Sequence, residues 1–196
     1  MITETTFQAL FIFTAIVFVI LWGRNLLSIG ITSDKFYTAT EGIIIAGPRL
    51  LLLGASLAGI LVYSINPQLM KWSAFPLPFW LRWFGFFIGL VALIIFFWVL
   101  RSLGQNFSTT LTIKKDQTLV SQGPYHWVRH PMYTSFILLW VSFFFISTNW
   151  FIGLTGLLGF IWAIAVRTPR EEQMMIERFG DEYIAYMKCT GRYLPR

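Results

Sequence analysis

The sequence predicts an all-α integral membrane protein of about five transmembrane helices, with a small cytoplasmic loop or hairpin and a C-terminal cytoplasmic helix. Three observations predict it. Charged residues make up only 12% of the 196 and apolar ones 56%, about half the charge of a soluble domain. Five apolar stretches reach or approach the roughly 20 residues a helix needs to cross a bilayer: 7–27, 43–65, 79–100, 133–147 and 150–166. They are continuous rather than alternating, and in lipid such a run satisfies its own backbone only as a helix.

Taken in order, the first stretch follows Glu4 with no Lys or Arg before it. It lacks the basic start of a removable signal and is expected to stay in the membrane. The second carries Gly47-Pro48-Arg49, which places Arg49 about 9 Å in from Ile43. Arg49 is either a snorkelling interfacial cation or a group near the cytoplasmic mouth that pairs with an acidic or phosphorylated substrate. Gly54-xxx-Ala58 in the second stretch and Gly85-xxx-Gly89 in the third let helices approach closely, within one chain or between two. The fourth and fifth are short and separated only by Thr148-Asn149, so they read as a tight helical hairpin. One domain over 1–196 follows: three spans in 1–100, a loop over 101–132, the hairpin over 133–166 and a tail over 167–196.

In the loop, Thr109-Thr110-Leu111-Thr112-Ile113 alternates with period two and Thr118-Leu119-Val120 can return after a turn, a candidate cover hairpin. Gly123-Pro124 breaks the chain before the next cluster. In the tail, Thr168, Pro169 and Glu171 have the spacing of a capping box with proline at the first helical position, so a new helix is expected there. That gives Glu171 a structural role and leaves Glu172 as the better functional candidate. Gly180 is expected to bend or break this helix, which otherwise would pair Arg178 with Glu182.

Twelve of the fifteen Lys and Arg residues fall at the end of the first stretch or just after it (Arg24 and Lys35), in the 101–132 loop and in the tail. Five spans put those regions on one side, so the positive-inside rule places the amino terminus outside and the tail in the cytoplasm. The basic charge reads as topology and contact with membrane lipids, with no nucleic acid as partner. One cysteine excludes an internal disulfide, and two histidines beside it leave no metal-ligand set.

Chemistry concentrates in two places. Gly123-Pro124-Tyr125-His126-Trp127-Val128-Arg129-His130-Pro131-Met132-Tyr133 stands against the start of the fourth stretch, and Arg167-Thr168-Pro169-Arg170-Glu171-Glu172 follows the end of the fifth. Singly these are ordinary: Arg129 a topology anchor, His130 an interfacial side chain, Pro131 a helix start, Tyr133 a belt aromatic. A hairpin brings the two clusters together on one membrane face, and jointly they point to a site.

Gly-Pro-Tyr, Arg-His-Pro-Met-Tyr, an apolar hairpin, Glu-Glu, Phe-Gly-Asp-Glu-Tyr and Thr-Gly-Arg-Tyr-Leu-Pro, in that order over about 103–195, resemble the isoprenylcysteine carboxyl methyltransferase family. Its five-span prokaryotic members are the nearest likeness, and phospholipid methyltransferases are related over the same region. Ser135 departs from the pattern, since many members have Gly two residues after the motif tyrosine. The resemblance implies S-adenosylmethionine as cofactor, S-adenosylhomocysteine as product, and the inner membrane of a prokaryote as location. It implies a pocket of 123–133 and the tail, with Tyr125, His130, Pro131, Tyr133, Glu171, Glu172 and Phe179 toward the cofactor. Glu171 or Glu172 would accept from its ammonium or ribose, and Tyr125, Trp127 and Phe179 offer apolar faces to adenine. Arg129 and Glu172 are the expected catalytic residues, with Arg129 and Arg49 toward a lipophilic acceptor that arrives through the bilayer; the guanidinium fork of Arg129 suits a carboxylate. Three other readings stand beside this: a phospholipid or amine N-methyltransferase, an NADPH-dependent membrane reductase, and a non-enzymatic scaffold.

Overall fold

A computed structural model describes residues 4–29, 43–104 and 118–196. Among these are six α-helices: α1 (Glu4–Ile29), α2 (Ile43–Ile65), α3 (Phe79–Leu103), α4 (Pro131–Ser147), α5 (Trp150–Phe179) and α6 (Asp181–Cys189). Short 3-10 turns cover Pro67–Ser73 and Gly123–His126. α1, α2, α3 and α5 are long and apolar enough to cross a membrane, and α4 is a shorter apolar helix of 17 residues, about 25 Å long. The fold is the all-α integral membrane class. Residues 109–113 lie outside the described residues, and 118–120 form no strand.

Exposure agrees with a lipid solvent. Phe84, Phe87, Val91 and Ile94 on α3 and Leu57, Leu61 and Ile65 on α2 are all at least half exposed, a face that water would penalise. The core collects Phe7, Phe11, Tyr63, Met70, Phe143, Ile146 and Ile152 from α1, α2, the first 3-10 turn, α4 and α5. α4 packs against α1, α3 and α5, so the shortest span is enclosed by the others.

The hairpin turn is as the sequence predicts. Asn149 is buried and caps α5 by accepting from the Ile152 N–H at 3.1 Å, and its amide donates to the Met70 carbonyl and Ser73 Oγ. Beside it Arg82 donates through both Nη atoms to the Glu4 carboxylate (2.7 and 2.9 Å) and through Nε to the Ile146 carbonyl (3.0 Å). Tyr63 donates to the same carboxylate. A buried guanidinium with every partner supplied ties α1, α2, α3 and α4 at this end, which leaves the other end for the site.

The small-residue pairs divide. A Cβ on Gly85 would sit 2.4 Å from Phe145 Cβ and 3.1 Å from the Ile146 nitrogen, and one on Gly89 2.4 Å from Ser142 Oγ. This pair seats α4 within the chain. Gly54 has nothing within 4 Å. Gly85→Ala is therefore expected to cost about 1–3 kcal/mol by overpacking, read as a lowered unfolding midpoint in detergent, whereas Gly54→Ala leaves the midpoint unchanged.

The tail corrects one expectation. α5 does not end near Val166 and restart at Thr168; it runs unbroken to Phe179 with Pro169 inside it. Thr168 is buried and accepts from the Tyr193 hydroxyl at 2.8 Å, so it caps nothing and Glu171 closes no capping box. Packing of the tail on α5 outweighs the local start signal, the usual outcome when tertiary contacts compete with a propensity. Gly180 does break the run, with φ +55, so Arg178 and Glu182 stand on different helices.

Candidate active site

Pro131 starts α4 at the position where a missing N–H costs nothing, with His130 non-helical just before it. α5 returns beside α4 and carries Glu171 and Glu172 past the end of its apolar part, opposite 129–133. The remaining tail then folds back. Gly180 turns the chain into α6, and residues 190–193 lie alongside 127–130. The Arg129 N–H donates to the Gly191 carbonyl (2.8 Å), the His130 N–H to the Arg192 carbonyl (3.0 Å), and the Gly191 N–H to the Trp127 carbonyl. A Cβ on Gly191 would lie 1.7 Å from the Leu194 carbonyl oxygen, so the tail's final turn needs glycine there.

Glu172 is the centre. Its side chain is 5% exposed and faces three cationic or ring groups. Arg129 Nε donates to Oε1 at 3.0 Å. Arg192 donates through Nε at 3.2 Å to Oε1 and through Nη2 to Oε2. His130 Nε2 is buried 3.4 Å from Oε1 without forming a hydrogen bond to any group. Arg129 is further anchored by Nη1, which donates to the Met187 and Thr190 carbonyls. Its Nη2 alone has no protein acceptor among the described residues.

Glu171 takes the other side of the cluster. The Tyr133 hydroxyl donates to its Oε1 at 2.6 Å, Arg167 Nη2 lies 3.4 Å from the same oxygen, and His130 Nδ1 lies 3.7 Å from Oε2. The His130 ring stacks on Tyr133, nearly parallel at 8° with centroids 5.4 Å apart. Tyr133 in turn meets Phe160 edge-on. Tyr125 joins through its carbonyl, which accepts from the Tyr186 hydroxyl at 2.6 Å; burial pushes that phenol up to about 12, so it stays a donor at physiological pH.

Arg129, His130, Pro131, Tyr133, Glu171 and Glu172 thus converge. Phe179 is half-buried at the end of α5, two turns beyond Glu172, and Arg49 is buried on α2. Three residues that sequence reasoning passed over belong to the cluster: Arg192, Tyr186 and Tyr193. Arg192 and Tyr193 sit in the quoted Thr-Gly-Arg-Tyr-Leu-Pro ending and Tyr186 shortly before it, but contacts made by folding back across 20 to 61 positions leave no periodic signal.

Chemically, this is a pair of carboxylates held among guanidiniums, with a buried imidazole nitrogen still lacking a partner and aromatic rings at its edge. Such a donor set fits a small ligand that brings its own ammonium and hydroxyl groups. Among the described residues no group of His, Cys, Asp and Glu could hold a metal ion.

Residues 84–177 match the model of the isoprenylcysteine carboxyl methyltransferase (ICMT) family. A protein-S-isoprenylcysteine O-methyltransferase of Dictyostelium discoideum is 28% identical over 139 residues, 61% of this chain and 56% of that protein. The enzyme of the same name from Mus musculus is 34% identical over 105 residues, 47% of this chain and 33% of its own length. The chain thus spans between a third and somewhat over half of these two relatives. The structure of the eukaryotic intramembrane Ras methyltransferase ICMT superposes with a TM-score of 0.57, covering 98% of this chain and 64% of that one at 18% identity, a likeness of fold. The matched stretch runs from α3 through the hairpin to the paired carboxylates, and over it the chain is similar to the isoprenylcysteine carboxyl methyltransferase family.

Proposed function

We propose that this chain is an integral membrane S-adenosylmethionine-dependent methyltransferase that O-methylates the carboxylate of a lipophilic acceptor of the isoprenylcysteine type. The observation that carries the proposal is the meeting of the Arg129–Tyr133 cluster with Glu171 and Glu172, around a Glu172 carboxylate that is almost wholly buried. The match of residues 84–177 to the family's model supports it.

The residues fit the cofactor. Glu172 and Glu171 would hold its ammonium and ribose hydroxyls, and His130 Nε2 is a buried polar atom awaiting a partner. Tyr133 and the backbone at Pro131 border the same space, and Tyr125 and Phe179 supply apolar surface for adenine. S-adenosylmethionine supplies an electrophilic methyl group on a sulfonium. The acceptor's carboxylate is ionised at neutral pH, so no residue has to remove a proton. What the protein adds is alignment and exclusion of water. Arg129 Nη2, the nitrogen of that fork without a protein acceptor, is placed to hold the carboxylate, while Arg129 Nε and Nη1 fix the guanidinium itself. Arg49, buried on α2, is a second cation for the acceptor.

The proposed orientation has the amino terminus outside and this site in the cytoplasm, in a prokaryotic inner membrane, with the whole of 1–196 acting as one methyltransferase domain. Its support is the distribution of twelve of fifteen basic residues. The acceptor reaches the site laterally from the bilayer.

Calorimetric titration of detergent-purified protein with S-adenosylhomocysteine, and separately with NADPH, tests the reading. Saturable binding of S-adenosylhomocysteine alone is the expected result. Binding of NADPH alone would move the protein to the membrane reductases, and binding of neither by folded protein would make it a scaffold.

A further inference from the structure

Two guanidiniums hold Glu172, and they are not equivalent. Arg129 is 9% exposed and has carbonyl acceptors from Met187 and Thr190 in addition to the carboxylate. Arg192 is 47% exposed, and its side chain's described contacts are all with Glu172. Its backbone is pinned separately, since its carbonyl accepts from the His130 N–H at 3.0 Å. The side chain of Arg192 can therefore leave Glu172 by changing rotamer, with 190–193 still docked along 127–130.

A carboxylate as buried as Glu172 is costly without cationic partners, and the same carboxylate is the proposed acceptor for the cofactor's ammonium. Both of its oxygens already receive hydrogen bonds, Oε1 from Arg129 and Arg192 and Oε2 from Arg192. The cofactor's ammonium would approach Oε2, the oxygen with a single partner, where it meets the Arg192 guanidinium as a like charge and competes with it for the same side of the carboxylate. Arg129 would have to abandon two carbonyls buried around it, whereas Arg192 moves into solvent, where a guanidinium is well hydrated.

We propose that Arg192 is an exchangeable latch: its guanidinium fills the cofactor-ammonium position on Glu172 in the empty protein and gives that position up when the cofactor binds. It is a positioning residue, acting through Glu172, and the inference rests on the methyltransferase reading above. Its consequence is quantitative. A site occupied by its own side chain binds ligand with an affinity reduced by the fraction of time the latch is open, so wild type binds more weakly than the same site without Arg192. The latch also keeps the buried carboxylate compensated between turnovers.

The test titrates detergent-purified wild type, Arg192→Gln and Arg192→Lys with S-adenosylhomocysteine and with 5′-methylthioadenosine, which lacks the amino-acid ammonium. Arg192→Gln is expected to bind S-adenosylhomocysteine roughly three- to tenfold more tightly than wild type. Arg192→Lys, which keeps a competing cation, falls back toward wild type. 5′-Methylthioadenosine shows no gain in either variant, because it does not compete for Glu172. Arg196→Gln removes the same charge from an exposed position on the tail that bonds only the Lys188 carbonyl, and leaves all affinities unchanged. Binding of S-adenosylhomocysteine by wild type with no gain in Arg192→Gln overturns the latch and leaves the methyltransferase reading standing. Failure of wild type and every variant to bind it overturns both.

Discussion

Arg129→Ala is expected to destabilise the protein by about 3–5 kcal/mol, the cost of removing one partner from a buried ion pair. The loss has three parts that act together: the Nε bond to Glu172 and the Nη1 bonds to the Met187 and Thr190 carbonyls. Those carbonyls belong to the end of α6 and the residue after it, so Arg129 is what holds the returning tail against the start of α4. Arg129→Lys should recover only part of the loss, because one ammonium cannot reproduce a planar fork that serves a carboxylate and two carbonyls at once. Arg192→Ala, at an exposed position, should cost no more than about 1 kcal/mol. Thermal unfolding in detergent checks all three, and equal midpoints for wild type and Arg129→Ala would refute this account of the tail. Turnover is expected to vanish in Arg129→Ala, both because the tail loosens and because Nη2 is gone.

Glu172→Gln is expected to weaken S-adenosylhomocysteine binding by about ten- to a hundredfold, the range a charge-assisted hydrogen bond of roughly 1.5–3 kcal/mol supplies. The substitution keeps shape and removes charge, so it isolates the carboxylate's attraction for a cationic ligand. Glu171→Gln should weaken binding less, since Glu171 is more exposed and one of its oxygens is already committed to the Tyr133 hydroxyl. Calorimetry on the two variants side by side decides which carboxylate takes the ammonium. Equal affinities for wild type and Glu172→Gln would place the ligand elsewhere and remove the footing of the Arg192 latch as well.

The two variants touch different parts of one arrangement. Arg129 is fixed by backbone carbonyls and holds architecture; Glu172 is fixed by guanidiniums and offers charge. A buried carboxylate in a membrane protein is expensive unless it is paired, and here three side chains from two separate segments converge to pair it. That expense is hard to explain as packing alone, and it is the physical reason that Glu172 is proposed as the centre of the site.

Much of this was legible from the residues alone. Continuous apolar runs determine helices in lipid because no other backbone arrangement hydrogen-bonds itself there, and so α2 was placed at 43–65 and the hairpin turn at Thr148-Asn149. Proline at the first helical position placed Pro131, and glycine's positive φ placed the break at Gly180. Because the hairpin must return, the residues at its two open ends had to meet, which gathered Arg129, His130, Tyr133, Glu171 and Glu172.

What the sequence could not determine was decided by surfaces meeting at long range. The capping signal at Thr168 is real locally, yet α5 passes through it because Tyr193 folds back onto Thr168 and the carboxylates gain partners only if the helix continues. Gly85 and Gly54 have the same local spacing to a small residue, but only Gly85 faces another helix. Arg192 sits twenty positions from Glu172 and Arg129 forty-three, with no repeat to connect them. Apolar patterning and backbone limits are properties of neighbours along the chain and can be read there. Which guanidinium ends buried and which stays in water depends on how the tail packs, and only the tertiary structure decides that.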